Sequence, residues 1–286
     1  MPPNPSAKAL KGRHVIAMLA VILLTILAGL YASLPLVWKH YERLKRLDGR
    51  EMVTRTGQGI AGDPINVGFE ADEDSLLCAF HAAGWRAASQ VTLKSSLKIV
   101  RSVVERRPYP TAPVSPLYYD KRIEDLAFQL PSGNSAAHRH HVRLWKVLDH
   151  GDTGKPVWLG SASYDKSVGV SHYTLRVTHH VSPDMDGERD FLMSQIAPVG
   201  KASALFEISG VGPTALGRNG GGDPYFTDGE VKVAVLAAGC SPGLAPKLEA
   251  ADLPPHIGLK NQIFELIRPL LRKLSHQAGP GKGSEE

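Results

Sequence analysis

His138-Arg139-His140-His141-Val142-Arg143-Leu144-Trp145 (HRHHVRLW) is the stretch on which the fold turns. Its β-branched and aromatic content marks a strand, and the two-residue period of a strand divides it cleanly. His138, His140, Val142 and Leu144 share one face; Arg139, His141, Arg143 and Trp145 share the other. If Val142 and Leu144 pack inward, His141 and Arg143 face a second layer or solvent. In the opposite arrangement His140 is the exposed histidine.

Strands are predicted over Leu126–Leu130, Val142–Val147 (the second half of that stretch, extended to Val147), Val157–Tyr164, Leu205–Ile208 and Val231–Ala237, each beside Gly, Pro, Asn or Asp turn residues. One helix, Pro183 to about Ile196, interrupts them. Upstream, Asp63–Val67 reads as extended, and Glu70–Trp85 as a helix with Glu70, Asp72, Glu73 and Asp74 in its first turns, where the helix dipole favours negative charge. A second helix is expected over Leu93–Arg106, with Leu97, Val100 and Val104 as its apolar stripe. Pro108, Pro110, Pro113 and Pro116 exclude another helix directly after it. A run of strands following helices argues for an α+β fold: a single domain with a mostly antiparallel sheet and two or three packed helices.

That domain is expected behind a membrane anchor. No charged residue lies between Val15 and Val37, and a run of this length matches the roughly 20 residues needed to cross a hydrocarbon core. A cleaved signal would need small residues around its cut site, and Leu30-Tyr31-Ala32 places Leu where one belongs. Lys8, Lys11 and Arg13 before the run nearly balance Lys39, Arg43, Lys45 and Arg46 after it, so the side on which the domain sits stays open. The division expected is a tail (1–14), an anchor (15–37), a juxtamembrane linker (38–62), the α+β domain (63–240), a helical extension (241–275) and a disordered end (276–286).

Composition bounds the function. With 43% hydrophobic and 21% charged residues among 286, the chain builds one good-sized core, and its net charge of +5 is concentrated beside the apolar run and in the C-terminal segment. That distribution suits a membrane surface, with a membrane-protein partner also in view, and not a nucleic-acid stripe. Two cysteines, Cys78 and Cys240, exclude a disulfide framework and a CxxC zinc ribbon; whether they pair with each other is open. Residues 257–274 place Ile263, Ile267, Leu270, Leu271 and Leu274 at helical spacing, with Pro269 expected to bend or break the helix. Such a segment docks on the domain's own core or lies on the bilayer surface.

Chemistry concentrates in HRHHVRLW and in Thr178–Asp190, THHVSPDMDGERD. Much of the latter has a helix-start explanation: Ser182 as N-cap, Pro183 at the first helical position, Asp184 and Asp186 in the first turn. The functional alternative notes that Asp184 and Glu188 stand at i and i+4, as do Asp186 and Asp190. With a preceding histidine, Asp184, Asp186 and Glu188 become candidate ligands for a divalent cation, although the spacing is neither HExxH nor an EF-hand. His140, His141, His179, His180 and Arg143 are the candidate catalytic residues: an Arg fork suits phosphoryl oxygens, and a histidine beside it suits nucleophile or general-acid chemistry. The glycine-rich Gly217–Gly222 precedes a strand pattern instead of a helix, which makes it a hairpin loop and not a phosphate cradle.

Taken together, Ser115-Pro116-Leu117-Tyr118, Asp125-Leu126-Ala127-Phe128-Gln129, Arg139 to Trp145, Pro156-Val157-Trp158-Leu159-Gly160, Tyr164-Asp165 and Thr178-His179-His180 through Asp184, Asp186 and Glu188-Arg189-Asp190 resemble the LssY C-terminal domain family. The resemblance covers about residues 63–200. It implies a membrane setting, since such domains stand behind an anchor or are fused to multipass DedA-like or lipid-phosphatase-like segments, and it carries no catalytic residue with it. Two readings follow. One is a membrane-anchored accessory or binding module of an envelope lipid or transport system; the other is a hydrolase of phosphorylated lipid or headgroup substrates, metal-assisted or based on His and Arg.

Overall fold

A computed structural model describes residues 5–88, 116–133, 137–173, 177–237, 239, 249–250 and 255–278. The chain divides into two compact units, Met1–Lys45 and Arg46–Glu286.

The first unit carries helix α1, Pro5–Tyr41. Its apolar side chains from Val15 to Leu27 are exposed. Among the described residues no helix is long and apolar enough to cross a membrane. Part of the expected 15–37 span lies outside the described side chains.

The second unit is α+β. Its large sheet runs β15 (Glu249–Ala250), β11 (Ala204–Ser209), β14 (Glu230–Val235), β3 (Val67–Glu70), β9 (Val157–Val170), β8 (Arg139–Leu148), β7 (Leu126–Pro131), β4 (Arg86–Ala87), with β10 (Val177–Val181) paired to β9. Most pairings are antiparallel; β14 lies parallel to β3, with Lys232 opposite Val67, and β15 parallel to β11. A four-stranded sheet, β2 (Ala61–Pro64), β1 (Val53–Arg55), β5 (Tyr118–Tyr119), β6 (Arg122–Ile123), and the hairpin β12 (Thr214–Arg218) with β13 (Pro224–Thr227) complete the strands among the described residues. The glycine-rich stretch forms the end of that hairpin, as its sequence predicts.

Helices α2 (Glu73–Ala82) and α3 (Met185–Val199) cover one face of the large sheet. Leu76, Phe80, Leu192 and Ile196 pack there against Phe69, Val142, Leu144 and Ala162, all fully buried. Phe80 stacks on Phe128 with ring centroids 4.2 Å apart and meets Phe69 edge-on. Fully burying each such side chain contributes about 1.5–3 kcal/mol, which makes this layer the main stabilising element. Gly160 is what lets three strands approach here: a Cβ would come within 2.5 Å of Leu144 and 2.8 Å of the Arg143 carbonyl.

The structure corrects several boundaries. Glu70 is no helix-start residue; it ends β3, is buried, and accepts a hydrogen bond from the Thr153 hydroxyl at 2.7 Å. The acidic run thus straddles two elements, with Asp72 as the N-cap of α2. The helix expected over Leu93–Arg106 lies outside the described residues. Residues 47–62, expected as part of a linker, are folded: β1 and the start of β2 lie within them, Leu47, Met52 and Thr54 are buried, and Thr54 donates to the Asp63 carbonyl at 2.8 Å. Their polar composition hid strands that are stabilised by distant Tyr118 rather than by a local apolar period. Cys78 is disulfide-bonded, and the one other cysteine of the chain, Cys240, lies outside the described residues.

Helix α4, Pro255–Ala278, runs unbroken through Pro269. Pro269 is exposed, so the carbonyl it strips of a partner remains open to water. The same helix includes residues 276–278, the start of the expected disordered end. Its docked face is Ile257, Phe264 and Leu271, the last two against Phe226; of the five apolar positions singled out from sequence only Leu271 is buried. Polar contacts set that rotation. Arg268 and Arg272 reach Asp184, Lys260 reaches Glu230, and Asn261 reaches Glu207.

Candidate functional site

Strand β8 resolves the alternative left by its sequence. Val142 and Leu144 enter the apolar core, and Arg139, His141 and Arg143 point to the other face, where they are also buried. Cross-strand register then supplies their neighbours: Arg139 stands opposite Asp165, His141 opposite Ser163, Arg143 opposite Ser161. Arg139 donates to Asp165 Oδ2 at 2.7 Å and to Gln129 Oε1 at 2.9 Å. His141 Nδ1 lies 3.3 Å from Asp165 Oδ1, and its Nε2 3.2 Å from Ser163 Oγ. Ser163 Oγ is also 3.2 Å from Asp63 Oδ2, and Arg143 Nη1 is 3.8 Å from that same carboxylate oxygen. The serine hydroxyl has one proton for two neighbours, so it donates either to Asp63 Oδ2 or to His141 Nε2.

Burial governs the charge states. It pushes His141 well below its ordinary range, outweighing the attraction of Asp165. It raises Asp63 despite Arg143 and the Ser163 hydrogen bond. Asp165 lies below its usual value despite burial, and Arg139, the partner that stays charged, holds it there at 2.7 Å. The result is a charged pair, Arg139 with Asp165, beside a neutral imidazole.

These groups line a cavity of about 340 Å³. Arg139, His141, Arg143 and Asp165 form its floor, His179 of β10 one side, and the Asn219–Gly221 loop a wall. The β1–β2 turn, Thr56–Gln58, with Asp63 and Leu117–Tyr118 also line it, so the stretch expected as a linker is part of the enclosure.

The other candidates go elsewhere. His140, on the opposite face of β8, places Nδ1 2.9–3.0 Å from Glu188, stacks on Phe191 and approaches Tyr164. Burial raises Glu188, with His140 pulling it back. Asp184, and not Ser182, is the N-cap of α3: it accepts from Gly187 N at 3.0 Å, then from Arg268 and Arg272 at 2.8 Å each. Burial would raise Asp184, and those hydrogen bonds hold it below its usual value. Asp186 accepts from Thr227 Oγ1 at 2.7 Å and Asp228 N at 2.8 Å; burial and the neighbouring Asp228 push it up to about 6. The three acidic candidates for a cation each hold a different partner; Asp184 and Glu188 also line a second cavity, of about 310 Å³, with His140 and Tyr164. His179 and His180 part as strand geometry requires: His179 faces the cavity, and His180 Nδ1 meets Asp223 Oδ1 at 2.6 Å.

Of the candidates named from sequence, the cavity gathers His141, His179 and Arg143. It adds Arg139, Asp165, Asp63 and Asn219. One signal for Asp165 was available: Ser161, Ser163 and Asp165 alternate along an otherwise apolar strand and so form a polar stripe on the face that β8 shares.

Residues 40–231 match the family model described as LssY C-terminus. No curated protein and no solved structure matches the chain.

Proposed function

The chain belongs to the LssY C-terminus family, and from that premise we propose that it is a membrane-anchored binding module whose cavity takes a small anionic headgroup of the phosphate type. One observation carries the reading. Two arginines and two histidines line a single cavity against two carboxylates; burial disfavours the charge of Asp63, and by the same cause lowers Arg143 and His141. Guanidinium groups held rigidly in a low-dielectric wall suit phosphoryl oxygens better than any neutral ligand. Titrating the purified full chain with inorganic phosphate and with glycerol 3-phosphate, with glycerol as the neutral control, tests it. The headgroup analogue is expected to bind more tightly than phosphate, and Arg143→Met to weaken it roughly 10- to 100-fold, the worth of a charged hydrogen bond. Equal heats for glycerol, or undiminished binding by Arg143→Met, would overturn the reading.

The apolar run 15–37 is proposed as the single-pass anchor, since its length suits a bilayer. The disulfide at Cys78 favours the oxidising, extracytoplasmic side for the domain. Labelling of Ser194→Cys by a membrane-impermeant maleimide in spheroplasts supports that side, and protection of the exposed thiol argues against it.

A hydrolytic reading has one observation in its favour, the Ser163–His141–Asp165 distances. Ser163 is fully buried and its hydroxyl is shared with Asp63, so it serves as a strut beneath the cavity floor. Phosphoester turnover lost in His141→Gln at unchanged headgroup affinity would favour hydrolysis over binding.

A further inference from the structure

We propose that His172, His180 and Asp223 form a binding site for a divalent first-row transition metal, such as zinc, that clamps the glycine-rich loop to the β9–β10 hairpin. The three come from different elements: His172 from the turn after β9, His180 from β10, Asp223 from the segment leading into β13. Their ligand atoms all lie within 4.8 Å of one another. Asp223 Oδ1 is the focus, 2.6 Å from His180 Nδ1 and 3.9 Å from His172 Nε2. Ligand atoms around a tetrahedral zinc, each about 2.0–2.1 Å from the ion, stand roughly 3.3 Å apart. The observed separations from Asp223 Oδ1, 2.6 and 3.9 Å, bracket that spacing.

The surroundings hold these atoms in place. Asp223 Oδ2 accepts from Val181 N at 3.2 Å, which leaves Oδ1 for the ion. Asn219 Oδ1 accepts from Asp223 N at 2.9 Å, and Asn219 N donates to the Asp223 carbonyl at 2.9 Å. His172 N donates to the Gly221 carbonyl at 2.9 Å, so the turn and the loop are already joined through backbone. Both rings rest on glycine. A Cβ at Gly169 would fall 2.3 Å from His180 Nε2, and one at Gly222 2.7 Å from the His172 Cβ. Two imidazoles and one carboxylate select Zn²⁺, Cu²⁺, Ni²⁺ or Co²⁺ over Mg²⁺ and Ca²⁺. With His172 exposed, the remaining coordination positions open to water.

The site is separate from the anion-binding cavity and does not depend on its ligand. The two share β10 and the loop: His179 turns to the cavity, His180 to the metal site, and Asn219 and Gly221 line the cavity wall. A bound ion would fix that wall.

The test uses the untagged full chain, freed of metal with a chelator. Co²⁺ is titrated by its visible absorption, and Zn²⁺ by competition with a chromophoric chelator. One equivalent is expected, with Mg²⁺ failing to compete. His172→Ala, at an exposed position that leaves the fold intact, and His180→Ala should each weaken binding by more than about 10-fold. His150→Ala, an exposed histidine elsewhere, should leave it unchanged. Zn²⁺ should raise the thermal midpoint of the parent and not of His172→Ala. Failure to take up Co²⁺, or undiminished affinity in the His172→Ala/His180→Ala double variant, overturns the proposal.

Discussion

Strands β8 and β9 bury both of their faces, and the two faces are built from opposite chemistry. On one, Val142, Leu144 and Ala162 meet the helices; on the other, Arg139, His141, Arg143, Ser161, Ser163 and Asp165 meet one another around a cavity. The apolar face gains free energy from every methylene and tolerates exchanges of similar volume. The polar face gains little net free energy. Each of its groups has a large desolvation cost that only its partners offset, so its members succeed or fail together. The main stabilising layer and the proposed binding cavity thus lie on opposite sides of the same two strands.

The largest effect that sharpens this contrast comes from breaking one charged pair. Asp165→Leu should destabilise the full chain by about 3–5 kcal/mol in urea unfolding, because Arg139 is left buried without its carboxylate. Leu144→Ala on the opposite face should cost a comparable ~2–5 kcal/mol. The double variant Arg139→Met/Asp165→Leu separates the two cases: it should recover most of the lost stability and none of the headgroup binding. If it stays as unstable as Asp165→Leu alone, the polar face is a stability element after all.

An intermediate effect is pH dependence of opposite sign on the two sides. His141 is kept neutral by burial, whereas the unfolded chain takes up its proton near 6.5, so its contribution is present above that value and is lost as pH falls below it. Glu188, beside His140 on the apolar side, is raised above 4.5 by burial, so its contribution is present below 4.5 and is lost as pH rises. Each accounts for up to about 1 kcal/mol per pH unit. Unfolding midpoints between pH 4.5 and 7 should therefore acquire opposite changes of slope in His141→Gln and Glu188→Gln. Changes of the same sign would dissolve the distinction between the faces.

The smallest effect is expected at Tyr164, whose hydroxyl meets Ser132 Oγ at a long 3.5 Å on the His140 side. Tyr164→Phe should alter stability by less than about 0.5 kcal/mol and leave headgroup affinity unchanged. A loss of binding would transfer the site to the opposite face.

Strand alternation made the separation of His140 from His141 legible, because a two-residue period needs no knowledge of the fold. It did not reveal which face holds the cavity, since both are buried. Asp63 and Asn219 were illegible for a different reason: each meets the histidine strand's face only through side-chain contacts tens of residues distant in sequence. The acidity of Thr178–Asp190 was correctly traced to a helix start, with the cap two residues later than expected, at Asp184, because that carboxylate also receives Arg268 and Arg272 from α4. Likewise the apolar period of α4 located a helix and misjudged its docked face, which ion pairs determine.

The parallel pairing of β14 with β3 has a consequence during synthesis. Val67 must find Lys232, made 165 residues later. At 5–20 residues per second the ribosome leaves that edge of β3 unpaired for roughly ten to thirty seconds. An open strand edge is a template for any other strand, so the domain's greatest exposure to misassembly falls before its last third has emerged.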